Sequence, residues 1–270
     1  MIKLAWLTDI HLNFLTLQER RCFYQTIVDS KADAVLISGD IAEAPSVKEL
    51  LLEMEYALNK PIYFVMGNHD YYRGAIESVR LDMAHLTKIT QKLRWLSASG
   101  AQKLSEDVLL VGTDGFADGR YGNYEKSAVS LNDSRLIADF FQSKLLSRSH
   151  LLSKMQQFAD EDARQLARDL KSGIGRHNPK TVLVLTHVPP FSEVCLYEGK
   201  QTDDDYLPYF ASKAIGDVLL AAAQNYPSID FKVLCGHTHH YAKANVLVNL
   251  SVTVGTAEYY QPSVQEIIIV

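Results

Sequence analysis

Six short apolar runs limit what this chain can become: 2–7, 34–37, 62–65, 108–111, 181–185 and 231–234 are rich in β-branched residues, and each stops at a polar, often glycine-containing turn. Runs of that length, bounded in that way, are strands rather than helices, because a helix that buries one face needs roughly ten residues or more. Between the first three lie stretches of helical length, about 17–30 and 46–58. Strand, helix, strand, helix, strand is the order that makes a parallel sheet, since a parallel neighbour is reached only by a crossover. The reading is an α/β fold.

The pattern changes over about 115–178, where the loop DGFADGRYGNYE precedes a long polar stretch, 132–171, with spaced apolar residues such as Leu136, Phe140, Leu151, Met155, Phe158 and Leu166. That spacing predicts one or two amphipathic helices, inserted in the domain or capping one end of the sheet. Further apolar or alternating stretches at 233–244, 246–254 and 265–270 read as terminal strands. No internal repeat or long linker divides the chain, so 1–270 is expected to be a single domain.

With a formal net charge of −5, the chain lacks the broad positive field that draws nucleic acid or anionic membrane. Three cysteines without a CxxC pair, and an N-terminus that reads as a strand rather than a secretory leader, point to the cytoplasm. No apolar stretch approaches the ~18 residues of a membrane span.

The chemistry-bearing residues fall where those strands end. Asp9 and His11 follow the first strand, Asp40 the second, Asn68 and His69 the third, His187 a later one, and His237 and His239 another. Sites in open α/β sheets form at the carboxyl ends of parallel strands. Residues two apart on extended backbone project to one side, so Asp9 with His11, and His237 with His239, are each expected to aim two ligands at one place. Gly39, Gly67 and Gly236 stand immediately before a candidate ligand, where a missing Cβ allows close backbone approach.

Carboxylates, imidazoles and one amide oxygen, with no thiolate, suit Mn, Fe or Zn in a catalytic role. Seven such ligands exceed what one ion takes alongside solvent, and two ions sharing a carboxylate are the economical reading, with Asp40 as the bridge. Two ions about 3.5 to 4 Å apart lower the pKa of a shared water and neutralise charge in an in-line displacement at phosphorus. His69, beside a ligand, is placed to protonate a leaving alkoxide as an imidazolium, and Asp70 is a candidate to orient it, although the sequence does not fix that partner.

In order, TDIH, SGD, GNHD, THVPP and CGHTH across residues 8–239 resemble the calcineurin-like metallophosphoesterases. The resemblance implies a four-layer α/β/β/α sandwich of two mixed sheets flanked by helices, with the metal site at its edge. It implies one ion held by Asp9, His11, Asp40 and His239, and another by Asp40, Asn68, His187 and His237. His69 would be the substrate-contacting histidine, assisting attack by a metal-bound hydroxide. Glu43 stands in GDIAEA where many relatives carry Asp, and no DRG follows, which argues against the Ser/Thr protein phosphatase branch.

Tyr72 and Arg73, after GNHD, and Arg120 and Tyr121, in the inserted loop, are candidates to hold a phosphate or a ring. Tyr259 and Tyr260 are further candidates to line the pocket. His85, His150, His177 and the acidic run Asp203 to Asp205 read as ordinary solvated positions. The expected activity is hydrolysis of a small phosphodiester or phosphomonoester, nucleotide-like or glycerophosphodiester-like. Its competitors are a nuclease with the same chemistry and a non-catalytic metal-binding scaffold; oligomeric state is left open.

Overall fold

A computed structural model of the chain describes residues 1–197 and 199–270. The first half winds through β1 (Lys3–Leu7), α1 (Leu17–Asp29), β2 (Ala34–Ser38), α2 (Val47–Leu58), β3 (Ile62–Val65), α3 (Ile76–Ile89) and β4 (Leu93–Trp95). A short α4 (Leu96–Ser99) then leads to β5 (Gln102–Lys103) and β6 (Val108–Gly112). Three helices follow: α5 (Asp133–Leu136), α6 (Ala138–Leu146) and α7 (Arg148–His177). The remainder is β7 (Thr181–Leu185), β8 (Leu196–Tyr197), β9 (Lys200–Gln201), α8 (Leu207–Phe210), α9 (Lys213–Asn225), β10 (Asp230–Cys235), β11 (Ala242–Leu247), β12 (Leu250–Val254) and β13 (Glu266–Ile269).

Two large mixed sheets form. One has the order β13-β1-β2-β3-β4 and the other β11-β12-β10-β7-β6-β5, with β8 and β9 as a separate hairpin. The early strands pair in parallel, Leu4 opposite Ala34 and Val35 opposite Ile62, as the strand-helix alternation requires. Antiparallel β13 closes one edge against β1.

Residue alternation explains the layering. Leu4, Trp6 and Leu36 share a buried cluster with Leu110, Leu183 and Leu185 of the second sheet, so these side chains lie between the sheets. Their neighbours Ala5, Leu7, Val35 and Ile37 belong to a different cluster with Ile27, Leu51 and Met83 of α1, α2 and α3. On the far side, Val182, Val184 and Val233 pack with Leu166, Leu170, Ile215 and Leu219 of α7 and α9. Strands buried on both faces must be apolar throughout, which is why they read as continuous runs. The result is the four-layer sandwich.

Local signals start the helices where they start. The Thr16 hydroxyl accepts the Glu19 N–H at the head of α1 while the Glu19 carboxylate accepts the Thr16 N–H, a reciprocal cap. Ser147 caps α7 through the His150 N–H. The expected helical stretch 132–171 resolves into α5, α6 and a longer α7, whose C-terminal half lies against β6 and α9 as an outer layer of the sandwich. Its preceding loop and α5 instead reach the edge where strands β1, β2 and β3 end. Helix α3 and strand β4 were not anticipated, and the stretch 233–244 breaks at residues 236–241 before β11.

A buried ionic network ties these layers together. Asp114, just past β6, accepts from Met66 N–H (2.8 Å), Trp95 Nε1 (2.8 Å) and the Tyr71 hydroxyl (2.5 Å). Arg80 of α3 lies 3.7 Å from Asp114 and donates to Asp162 of α7 at 2.6 Å. The Asp114 carbonyl in turn accepts the His187 N–H at 2.8 Å. Removing Arg80 leaves two buried carboxylates without their cation. Arg80→Met is therefore expected to lower stability by about 3–5 kcal/mol, seen as a lower urea midpoint at constant slope. A loss below about 1 kcal/mol would mean that backbone donors already satisfy both carboxylates.

Candidate metal centre

The carboxyl ends of β1, β2 and β3 from one sheet, and of β7 and β10 from the other, meet at one edge of the sandwich, and the turns that leave them carry the predicted ligands. Ligand atoms of Asp9, His11, Asp40 and His239 all lie within 4.8 Å of one another. His239 Nε2 is 3.3 Å from Asp9 Oδ1, and His11 Nε2 is 3.9 Å from Asp40 Oδ2. Both ring nitrogens of His11 are buried with no hydrogen-bond partner among the described residues. Unpaired buried imidazole nitrogens facing two carboxylates fit a cation-binding role.

A second set surrounds the other oxygen of Asp40. His187 Nε2 is 3.3 Å from Asp40 Oδ1 and 2.9 Å from Asn68 Oδ1, and His237 Nδ1 is 3.0 Å from Asn68 Oδ1. Backbone acceptors assign the protons. His187 Nδ1 faces the Ser38 carbonyl at 2.9 Å and His237 Nε2 faces the Tyr209 carbonyl at 2.9 Å, so those nitrogens donate. The Asn68 amide donates away from the centre, to Asp133 Oδ1 at 2.8 Å and the Tyr72 hydroxyl at 3.2 Å, which leaves its oxygen pointing inward. Two imidazole lone pairs, an amide oxygen and a carboxylate oxygen thus converge with no proton between them. A divalent ion fits that donor set of nitrogen and oxygen.

The backbone that achieves this is not extended. Asp9, His11, Asp40, His237 and His239 have φ of 49°, 39°, 52°, 73° and 59°, all in the left-handed region. The two-residue spacing works through tight turns rather than through strand alternation, which corrects the expectation. Each such residue costs on the order of 1–3 kcal/mol, held in place by its surroundings. The restraint is visible: Asp9 N–H donates to the Gly39 carbonyl and His11 N–H to the Asp40 carbonyl, both at 3.0 Å, stitching the turns after β1 and β2. The His237 N–H reaches back to Asp9 Oδ1 at 3.1 Å. A Cβ added at Gly67 would lie 2.1 Å from Asp40 Oδ1, and one at Gly236 would lie 2.0 Å from Asp9 Oδ2.

Burial dominates the electrostatics. It pushes Asp40 well above the ordinary carboxylate range, with the charges of Asp9 and Asp70 adding to it. For Asp9, burial is outweighed by the hydrogen bond from His239 and the nearby imidazoles, and the carboxyl is held low. Burial lowers His11 to about 3, with the neighbouring His69 assisting, and lowers His69 and His237 to about 4. A cation is what would let both carboxylates ionise beside neutral imidazoles.

Several expected roles change. Asp70 does not orient His69: one oxygen accepts Ile41 and Ala42 N–H (2.9 and 2.7 Å) and the other accepts Gly67 N–H (2.8 Å), so it binds the turns after β2 and β3 to each other. Burial lowers the His69 imidazole to about 4, which favours the neutral ring over the imidazolium; the ring stacks on Tyr72 at 4.2 Å, and the backbone N–H of His69 donates to Asp40 Oδ1 at 2.9 Å. Arg73 points outward, its side chain 66% exposed and paired with Glu43 at 3.1 Å. Arg120 is paired with Asp118 and Asp160 and lines a different concavity with Arg164 and Asp217. Tyr121 packs against Cys195, Leu207 and Ala211. Of the four substrate candidates, Tyr72 alone lines the cleft over the metal ligands.

Asp133 was missed. It is one of many surface-looking acids in the sequence, and only the fold brings it 65 residues back to Asn68. Tyr259 does line the cleft, with its ring centroid 4.8 Å from His11 and 5.2 Å from His239. Asp203 accepts the N–H groups of Asp205 and Tyr206, a local turn, in keeping with a solvated loop.

The family profile of calcineurin-like phosphoesterases matches residues 2–241, and the chain belongs to that family. It is a metal-dependent phosphoesterase. No curated protein matches. Among solved structures, a dimetal phosphatase from Danio rerio aligns at a TM-score of 0.58 and 11% identity, covering 94% of this chain and 87% of that one. Phosphopantetheinyl hydrolase from Mycobacterium tuberculosis aligns at a TM-score of 0.62 and 10% identity, covering 96% and 90%. At such identities the likeness is one of fold.

Two outcomes follow from this geometry. Gly67→Ala must displace Asp40 and is expected to weaken metal binding about ten- to a hundredfold, measured by calorimetric titration; parent affinity would show that the turn can move aside. In metal-free protein, the rings of His11, His69 and His237 are expected to stay unprotonated between pH 8 and 5, because their folded pKa values lie at about 3 to 4. Ring-carbon NMR shifts that titrate near pH 6.5 would contradict this.

Proposed function

We propose that the chain hydrolyses a small phosphodiester or phosphomonoester with two ions that share Asp40. The observation that carries this is the division of Asp40: Oδ2 faces His11, while Oδ1 faces His187 and the inward oxygen of Asn68. Asp9, His11 and His239 would complete one ion's ligands, and Asn68, His187 and His237 the other's. When bound, two ions supply positive charge to the phosphoryl oxygens and a water of lowered pKa.

The protein's own part is positioning. His69, neutral and stacked on Tyr72, can donate one ring N–H to a phosphoryl or leaving-group oxygen. Asp133 and Tyr72 keep the Asn68 oxygen turned inward. A nuclease would need a cationic track for a polyanionic backbone. Among the described residues lining the cleft there is no Lys or Arg, which disfavours that reading. No helix among the described residues is long and apolar enough to cross a membrane.

The test is turnover of 4-nitrophenyl phosphate and bis(4-nitrophenyl) phosphate after loading with Mn, Fe or Zn, with metal content measured in parallel. Asp40→Ala is expected to lose both ions and activity. His69→Ala is expected to retain both ions and lose about 10²- to 10⁴-fold in rate. Ion-loaded protein that turns over neither ester would overturn the proposal.

A further inference from the structure

The cleft above the metal ligands has a volume of about 300 Å³ and is lined beyond them by Tyr72, Tyr197, Phe210, Tyr259, His240 and Asp133, among others. Two properties of that lining bear on the substrate. The first is its charge. None of the described lining residues is Lys or Arg, and Asp133 adds a carboxylate. The guanidiniums the sequence offered are spent elsewhere, Arg73 on Glu43 and Arg120 on Asp118 and Asp160. A phosphoryl group seated at the ions has its partners there. A second phosphoryl group along the cleft would meet the Asp133 carboxylate without a cationic partner, and like charges brought together without one are disfavoured.

The second property is its rings. Phe210 lies edge-on to His237 at 5.5 Å and continues outward to Tyr206 at 5.8 Å; Tyr206 stacks on Tyr197 at 6.1 Å with the planes 6° apart. Phe210 and Tyr197 of this row line the cleft, and Tyr197 also lies 5.8 Å from His240. Tyr259, resting on His11 and His239 and followed by Phe14 at 5.5 Å, forms a row over the first set. Tyr197 and Tyr259 are 51% and 41% exposed. Large rings left open to water beside a polar site are surface that a flat ligand would cover, at about 1–3 kcal/mol per stacked ring.

We infer that the substrate carries a single phosphoryl group and a flat ring, which these rows receive, and that polyphosphate chains are excluded. This rests on the phosphoesterase reading and narrows it. Tyr197 and Phe210 act as specificity-determining residues for the ring, and Asp133 for the charge.

The experiment uses whichever 4-nitrophenyl ester the ion-loaded protein turns over and measures competitive inhibition at a buffered, saturating free-metal concentration. AMP and ribose 5-phosphate present the same phosphate on the same kind of primary carbon and differ by the ring; ADP adds one phosphoryl group to AMP. AMP is expected to inhibit at least about tenfold more tightly than ribose 5-phosphate, and ADP less tightly than AMP. Tyr197→Ala should narrow the AMP to ribose 5-phosphate ratio. Independently of activity, adenosine should bind the metal-free protein in a calorimetric titration where ribose does not. Equal inhibition by AMP and ribose 5-phosphate overturns the ring assignment, and ADP binding more tightly than AMP overturns the charge assignment. Absence of turnover on any ester would count against the phosphoesterase reading instead, and the adenosine titration still decides the ring.

Discussion

At the centre of this structure four acceptor atoms point at one another with no side-chain proton fixed between them. His187 Nε2, His237 Nδ1, Asn68 Oδ1 and Asp40 Oδ1 lie at contacts of 2.9 to 3.3 Å, and the protons that could relieve them are committed outward, to the carbonyls of Ser38 and Tyr209 and to Asp133 and Tyr72. Such an arrangement is relieved by a cation, or by a proton on the Asp40 carboxyl that burial pushes up. The outward bonds are the protein's means of holding it open, because each fixes a tautomer or an amide direction that would otherwise turn to satisfy itself.

The sandwich is what makes the arrangement possible. Each sheet is parallel near the site, so several strands deliver their carboxyl ends to the same edge, and packing the sheets face to face through Trp6, Leu36, Leu183 and Leu185 brings two such edges together. Ligands from β1, β2 and β3 meet ligands from β7 and β10 with no single segment having to bend around the ions. The strain is confined to the turns, where five ligands sit at positive φ, and the Asp70 carboxylate and the Asp114 network hold those turns against it.

Under the proposed reading, substrate selection is left to side chains that share no motif. Phe210 and Tyr197 come from α8 and a small hairpin, Tyr259 from the stretch before β13, and Asp133 from the head of α5. Ions at this centre would handle phosphorus, and the rest of the substrate would be met by these separate contributions. That division allows one metal centre to serve many esters.

The sequence alone made β1, β2, β3, β6, β7 and β10 legible, because residues buried on both faces must be continuously apolar, and it singled out Asp9, His11, Asp40, Asn68, His187, His237 and His239 by their chemistry at strand ends. The sequence named Asp40 as the shared residue, but which of its oxygens faces which ligand set was decided by the fold. Only the tertiary structure decided the rest. Asp70 and His69 are adjacent in sequence, yet the turn sends one carboxylate to backbone N–H groups and the other ring into the cleft. Arg73 and Arg120 looked like phosphate binders, and each is paired with carboxylates away from the cleft. Asp133 looked like one surface acid among many until the chain folded it onto Asn68. A ligand's identity is written in its own side chain, whereas a partner is chosen by distance, and distance between remote residues exists only once the layers have packed.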